Sequence, residues 1–180
     1  MKIKRLLTAT ALLTLFTAGA WADSSTGTIG VTLTLTNGCL INNSPNKADI
    51  DFGTLDFGDQ PATFTTLTQQ MNSFSIKCNT TDYTVKVTGS KNTAQPTTLA
   101  GTAGSPARYL LNTVDATQGV AYSLYDNSSM ENEIANGDAL EKISGSDGTD
   151  NYAVWGKIVG NGTLVSAGTY TDTVQVSVDY

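Results

Sequence analysis

Ser73-Phe74-Ser75-Ile76-Lys77-Cys78 and, after four intervening residues, Tyr83-Thr84-Val85-Lys86-Val87-Thr88 alternate apolar and polar side chains without a break. A period of two places every second residue on one face of an extended strand, so one face is buried and the other is wet. The pattern recurs outward in both directions. Thr28 to Thr36 reads T-I-G-V-T-L-T-L-T, and the segments Val120 to Tyr125, Tyr152 to Val159 and Thr173 to Tyr180 alternate likewise. These runs are short, rich in β-branched and aromatic residues, and bounded by Gly, Asn, Asp and Ser. They predict an antiparallel all-β sandwich or barrel. Asn79 to Asp82 and Gly160 to Thr163 read as hairpin turns, and Asn92 to Ser105 as a surface loop. The one stretch with a helical signal is Ser129 to Ala135, where Glu131 and Glu133 suit a first turn.

The first 22 residues have another purpose. Lys2, Lys4 and Arg5 precede the apolar run Leu6 to Phe16, and Ala20-Trp21-Ala22 supplies small residues at a cleavage site. That is a secretory signal peptide, and residues 1–22 are too short an element for a membrane anchor. Cleavage after Ala22 leaves 158 residues with 7 basic and 16 acidic side chains, a charge of −9. No later apolar stretch is long enough to insert in a bilayer, so the product is expected to be exported and not held in a membrane. An acidic chain has no basic footprint for nucleic acid.

The chain of 180 residues contains no His, which excludes Ser-His-Asp and Cys-His nucleophiles and imidazole-bound metals. Cys39 and Cys78 are its only cysteines. In an oxidising compartment they are expected to form a disulfide. Asp51-Phe52-Gly53 and Asp56-Phe57-Gly58 repeat the magnesium-binding triplet of protein kinases, without the remaining kinase parts. They read as strand segments with inward Phe and with Gly at bends. Ser144 to Asp150 is oxygen-rich but lacks a calcium loop's spacing, and it reads as a solvated loop. The four N-x-S/T triplets at Asn42, Asn79, Asn127 and Asn161 arise readily in so Thr-rich a chain. Trp155, Tyr122 and Tyr125 suit core or half-buried strand positions. No catalytic residues, metal ligands or cofactor are expected, and the chain does not read as an enzyme.

Two strand edges carry the functional signal. Ile29, Val31, Leu33 and Leu35 share one face near the mature N-terminus, and Val174, Val176, Val178 and Tyr180 share one face where the sequence stops. An uncovered apolar edge associates unless a strand fills it. Periodicity alone leaves two readings open: the terminal strands complete one domain, or one copy completes the next by strand addition.

The order of Thr36-Asn37-Gly38-Cys39, the Asp-Phe-Gly pair, Phe74 to Cys78, Tyr83-Thr84-Val85, Arg108-Tyr109-Leu110, Val120 to Tyr125, Trp155-Gly156 and Ala167 to Val174 resembles the spore coat protein U domain family. The best-known members of that family are pilins of archaic chaperone–usher pili. The resemblance implies an immunoglobulin-like antiparallel β-sandwich over residues 39–180 that lacks its last strand. Residues 23–38 would be the donor segment, with Ile29, Val31, Leu33 and Leu35 entering the groove of a neighbour. Val174, Val176, Val178 and Tyr180 would form the acceptor and chaperone-binding strand. A periplasmic chaperone, an outer-membrane usher and further copies of the chain are the implied partners, and the implied product is a homopolymeric pilus supporting adhesion and biofilm formation. A single domain fits a shaft subunit better than a tip adhesin. The long acidic segment Asn127 to Asn151 fits no part of the family pattern. The alternatives are a soluble secreted binding domain and a spore or envelope coat protein.

Overall fold

The computed structural model describes residues 26–70 and 73–180, and the proposed signal peptide, 1–22, lies outside them. Two units are distinguished, Met1–Thr34 and Leu35–Tyr180. In the first, the described residues carry no strand or helix. The second is all-β, with an immunoglobulin-like sandwich architecture.

Three sets of strands build that sandwich. One sheet has the order β1 (Cys39–Ile41), β3 (Phe74–Cys78), β9 (Thr149–Tyr152) and β8 (Ser144–Ser146), all antiparallel. A second has the order β11 (Tyr170–Thr171), β6 (Arg108–Asn112), β7 (Gln118–Tyr125), β10 (Trp155–Val159) and β2 (Thr66–Gln70). The third is the antiparallel pair β12 (Val174–Asp179) and β4 (Thr84–Ser90). Alternation sets what each strand buries. Phe74 and Ile76 of β3, Val85 and Val87 of β4, Val120, Tyr122 and Leu124 of β7, and Ile158 of β10 all belong to one buried cluster. Cys39 and Cys78 face each other in register across β1 and β3 and form a disulfide, with Cα atoms 4.1 Å apart.

Several local expectations are corrected. Asn79 to Asp82 is no hairpin turn, because β3 and β4 lie in different sheets. Gly160 to Thr163 is none either, since β10 and the next strand, β11, are not paired. Asn161 instead ties that corner to the segment before β6: its Oδ1 accepts the Gly101 N–H, and its Nδ2 donates to the Leu99 and Gly101 carbonyls. The expected loop Asn92 to Ser105 contains β5 (Thr98–Ala100), which runs parallel to β7. Its signal was a single buried residue of the three, Ala100, too short a run to show a period. Tyr152 to Val159 is two strands. The chain leaves the first sheet at Tyr152 and enters the second at Trp155, with Ala153 and Val154 buried at the crossing. Ser129 to Ala135 forms no helix. Ser144 to Asp150 is a hairpin rather than a loop, turned at Asp147 and Gly148, whose φ values of 52° and 72° suit a type I′ turn.

The acidic segment is not a surface appendage. Ile134 and Leu140 are 3% and 6% exposed and complete the core. Residues 137–140 also pair with β4: Gly137 N–H donates to Val87 O, and Leu140 N–H donates to Val85 O. Among the described residues β4 therefore has neighbours on both edges, whereas β12 is paired on one.

Candidate functional site

Val174 and Val176 of β12 line a groove. Its far wall is residues 52–64, its near wall residues 165–176, and its floor the inner faces of both layers. Two cavities occupy it. The first, of about 250 Å³, is bounded by Phe52, Leu55, Phe57, Tyr122, Val174 and Val176. The second, of about 530 Å³, is bounded by Phe64, Leu67, Val120, Ile158, Val165 and Tyr170. Leu55, Phe57 and Leu110 bound both. The first cavity's lining is mainly apolar, while the second mixes Phe64, Leu67 and Ile158 with polar residues such as Asp56, Asp59 and Gln60, so the groove can take up aliphatic or aromatic side chains along its apolar part.

The near wall gets its shape from a change of sheet. β11 pairs with β6 and β12 with β4, so the chain crosses between layers at Asp172 and Thr173. Asp172 fixes the crossing. Its Oδ1 accepts the Asn92 N–H at 3.0 Å, and its Oδ2 accepts the Tyr122 hydroxyl proton at 2.7 Å. Burial first, then that hydrogen bond, holds the Tyr122 hydroxyl well above the ordinary phenol range. Arg108 lies fully buried nearby and donates through Nη2 to Ile134 O and Asn136 Oδ1. Burial lowers its pKa, while Tyr122, Glu133 and Asp172 oppose that shift.

The far wall is built from the Asp-Phe-Gly repeat. Inward Phe and bent Gly are present as expected, but the segment forms no strand. Asp51 Oδ1 accepts the Gly53 N–H and Asp56 Oδ1 accepts the Gly58 N–H, each at 2.8 Å. These Asx turns, with Gly53 and Gly58 at φ 106° and 67°, curl the backbone away from ladder geometry. Phe52 meets Phe74 edge-to-face at 5.1 Å, and Phe74 stacks on Tyr152 at 5.5 Å.

Of the residues singled out from sequence, Val174 and Val176 line the groove. Val178 packs half-buried against the core beyond the groove lining, and Tyr180 is exposed and lies past the end of β12. Ile29, Val31, Leu33 and Leu35 are 91%, 89%, 81% and 81% exposed, in a stretch with no strand pairing of its own. Sequence reading missed the groove's other contributors, namely Leu110, Val165, Tyr170 and the wall function of Phe52, Leu55 and Phe57. The two inward Phe residues were the available signal. Tyr122 is buried, and Trp155 and Tyr125 are half-buried. Among the described residues there is no cluster of three or more His, Cys, Asp or Glu able to hold a metal, and no helix long and apolar enough to cross a membrane.

Fold and site together define a β-sandwich with a partly apolar groove against β12, a strand paired on one edge among the described residues. The chain belongs to the Spore Coat Protein U domain family, whose profile matches residues 25–177, and this is a structural, pilin-type family. A comparison with curated proteins gives no significant match.

Proposed function

We propose that this protein is a structural subunit of a surface pilus, polymerised by strand exchange between copies. Residues 28–36 of one copy enter the groove of the next and extend β12 along its open edge. The observation that carries the reading is a pairing of needs. A largely apolar cavity lies against β12, which among the described residues is paired on one edge, and four alternating apolar side chains in the same chain are 81–91% exposed. Burying them would stabilise the joint by about 6–12 kcal/mol, at about 1.5–3 kcal/mol each, before ordering costs. Main-chain pairing along β12 adds to this. A head-to-tail contact of this kind does not close on itself and so builds a filament.

Membership of a pilin-type family supports the remaining steps. A periplasmic chaperone covers the groove after export, an outer-membrane usher exchanges it for the incoming segment, and the fibre serves adhesion and biofilm formation. The test is to delete Asp23 to Thr36 and co-express the product with a candidate chaperone. A stable one-to-one complex that cannot polymerise is the expected result. A full-length chain that stays monomeric and stable without any chaperone would overturn the reading.

A further inference from the structure

The Asp-Phe-Gly repeat does more than wall the groove. Leu55 and Phe57 reach across it to β10. A Cβ built on Gly156 would lie 2.6 Å from Leu55 Cδ2 and 2.8 Å from Phe57 Cζ, so a glycine there leaves the room these side chains occupy. Gly156 pairs with Leu124 of β7 on the groove floor, and Leu55 and Phe57 bound both cavities. They therefore stand across the middle of the groove and divide it in two.

The main chain that carries them is weakly held. Among the described residues, no backbone group of residues 52–59 pairs with the main chain of another strand. The turns of Asp51 and Asp56 are internal to the segment. What fixes it is one side-chain hydrogen bond at its first residue, from Asn42 Nδ2 to the Asp51 carbonyl, and side-chain packing: Phe52 on Phe74, and Leu55 and Phe57 over Gly156. An element docked by a few apolar side chains, with no ladder hydrogen bonds to break, opens at low free-energy cost.

We infer that residues 51–58 are an internal stand-in for the missing strand. Leu55 and Phe57 fill the centre of the groove in the unassembled chain and swing out when a second copy's residues 28–36 enter. The inference rests on the strand-exchange reading and adds a displaceable barrier within it. The barrier covers floor residues that would otherwise be wet, and it makes uptake depend on how firmly the repeat is docked.

The experiment follows uptake of a fluorescein-labelled synthetic peptide of residues 26–38 by full-length chain, using fluorescence anisotropy. Leu55→Ala combined with Phe57→Ala removes the obstruction and should raise the association rate at least about tenfold. That pair also loses core area, so a second variant keeps the test sound. Gly58→Ala strains a backbone at φ 67° while its methyl group meets nothing nearer than Gln60 Nε2 at 3.9 Å. It loosens the segment and keeps the Leu55 and Phe57 side chains, adding only one methyl group to the rim of the second cavity, and uptake should quicken by about fivefold. Equal rates in wild type and both variants would show a fixed wall and overturn the inference, leaving strand exchange intact. No saturable binding by wild type or variants would overturn strand exchange itself, and this inference with it.

Discussion

Phe74 is 1% exposed and touches an aromatic partner on each side, Phe52 from the groove wall and Tyr152 from β9. Its replacement by Ala should cost about 3–5 kcal/mol in denaturant unfolding, because the surrounding sheets cannot collapse into the space. Asp172 is a different case. Truncation to Ala strands the Tyr122 hydroxyl in the core without an acceptor, at a cost of about 1–3 kcal/mol. A third residue gives a pH signature. The Tyr83 hydroxyl, donating at 2.6 Å, and secondarily Lys142 hold the Asp150 carboxyl below its ordinary range. A folded-state pKa below the unfolded one stabilises the fold above the ordinary carboxylate range, and the benefit disappears as pH falls through the folded value. The gap in thermal midpoint between wild type and Asp150→Asn should thus be full at neutral pH and close below about pH 4. A gap that persists in acid would remove Asp150 ionisation as its cause.

Elements show why single positions in the two edges differ in meaning. Leu33 is exposed in the free chain, so Leu33→Asp should leave its thermal midpoint unchanged while stopping fibre growth, which electron microscopy would reveal. Normal fibres from that variant would exclude residues 28–36 as the donor. The β1–β3 disulfide links residues 39 apart in sequence. Converting both cysteines to Ser should destabilise by about 4 kcal/mol in the chain-entropy account. At this scale the sequence was most legible where a strand buries every second residue over five or more residues, as in β3 and β4. It was least legible where side chains replace ladder bonds. Asp51 and Asp56 compete with strand pairing by capping their own backbone, and local periodicity carries no trace of such competition. Ile134 and Leu140 were missed for a related reason. Each is a single large apolar residue in a polar stretch, and its place is set by β7 for Ile134 and by β4 for Leu140, not by a period of its own.

For the whole molecule, strand exchange implies polarity. A copy lacking Asp23 to Thr36 can accept a neighbour's segment and has none to give, so it should act as a chain terminator. Mixed into full-length protein, it should shorten fibres in proportion to its fraction, measured as mean contour length. Unchanged length at a tenth of the mixture, roughly ten subunits per expected stop, would argue against one-donor, one-acceptor linkage.

The amino-acid order by itself determined the all-β class, the strands β3, β4, β7, β10 and β12 and the cysteine pair, because each is a local pattern with a fixed geometric consequence. Which strands share a sheet, where the chain crosses between layers, and what walls the groove were decided only in the folded structure. Those outcomes depend on side chains far apart in sequence competing for one core, and the winners are set by shape and remaining space rather than by their neighbours along the chain.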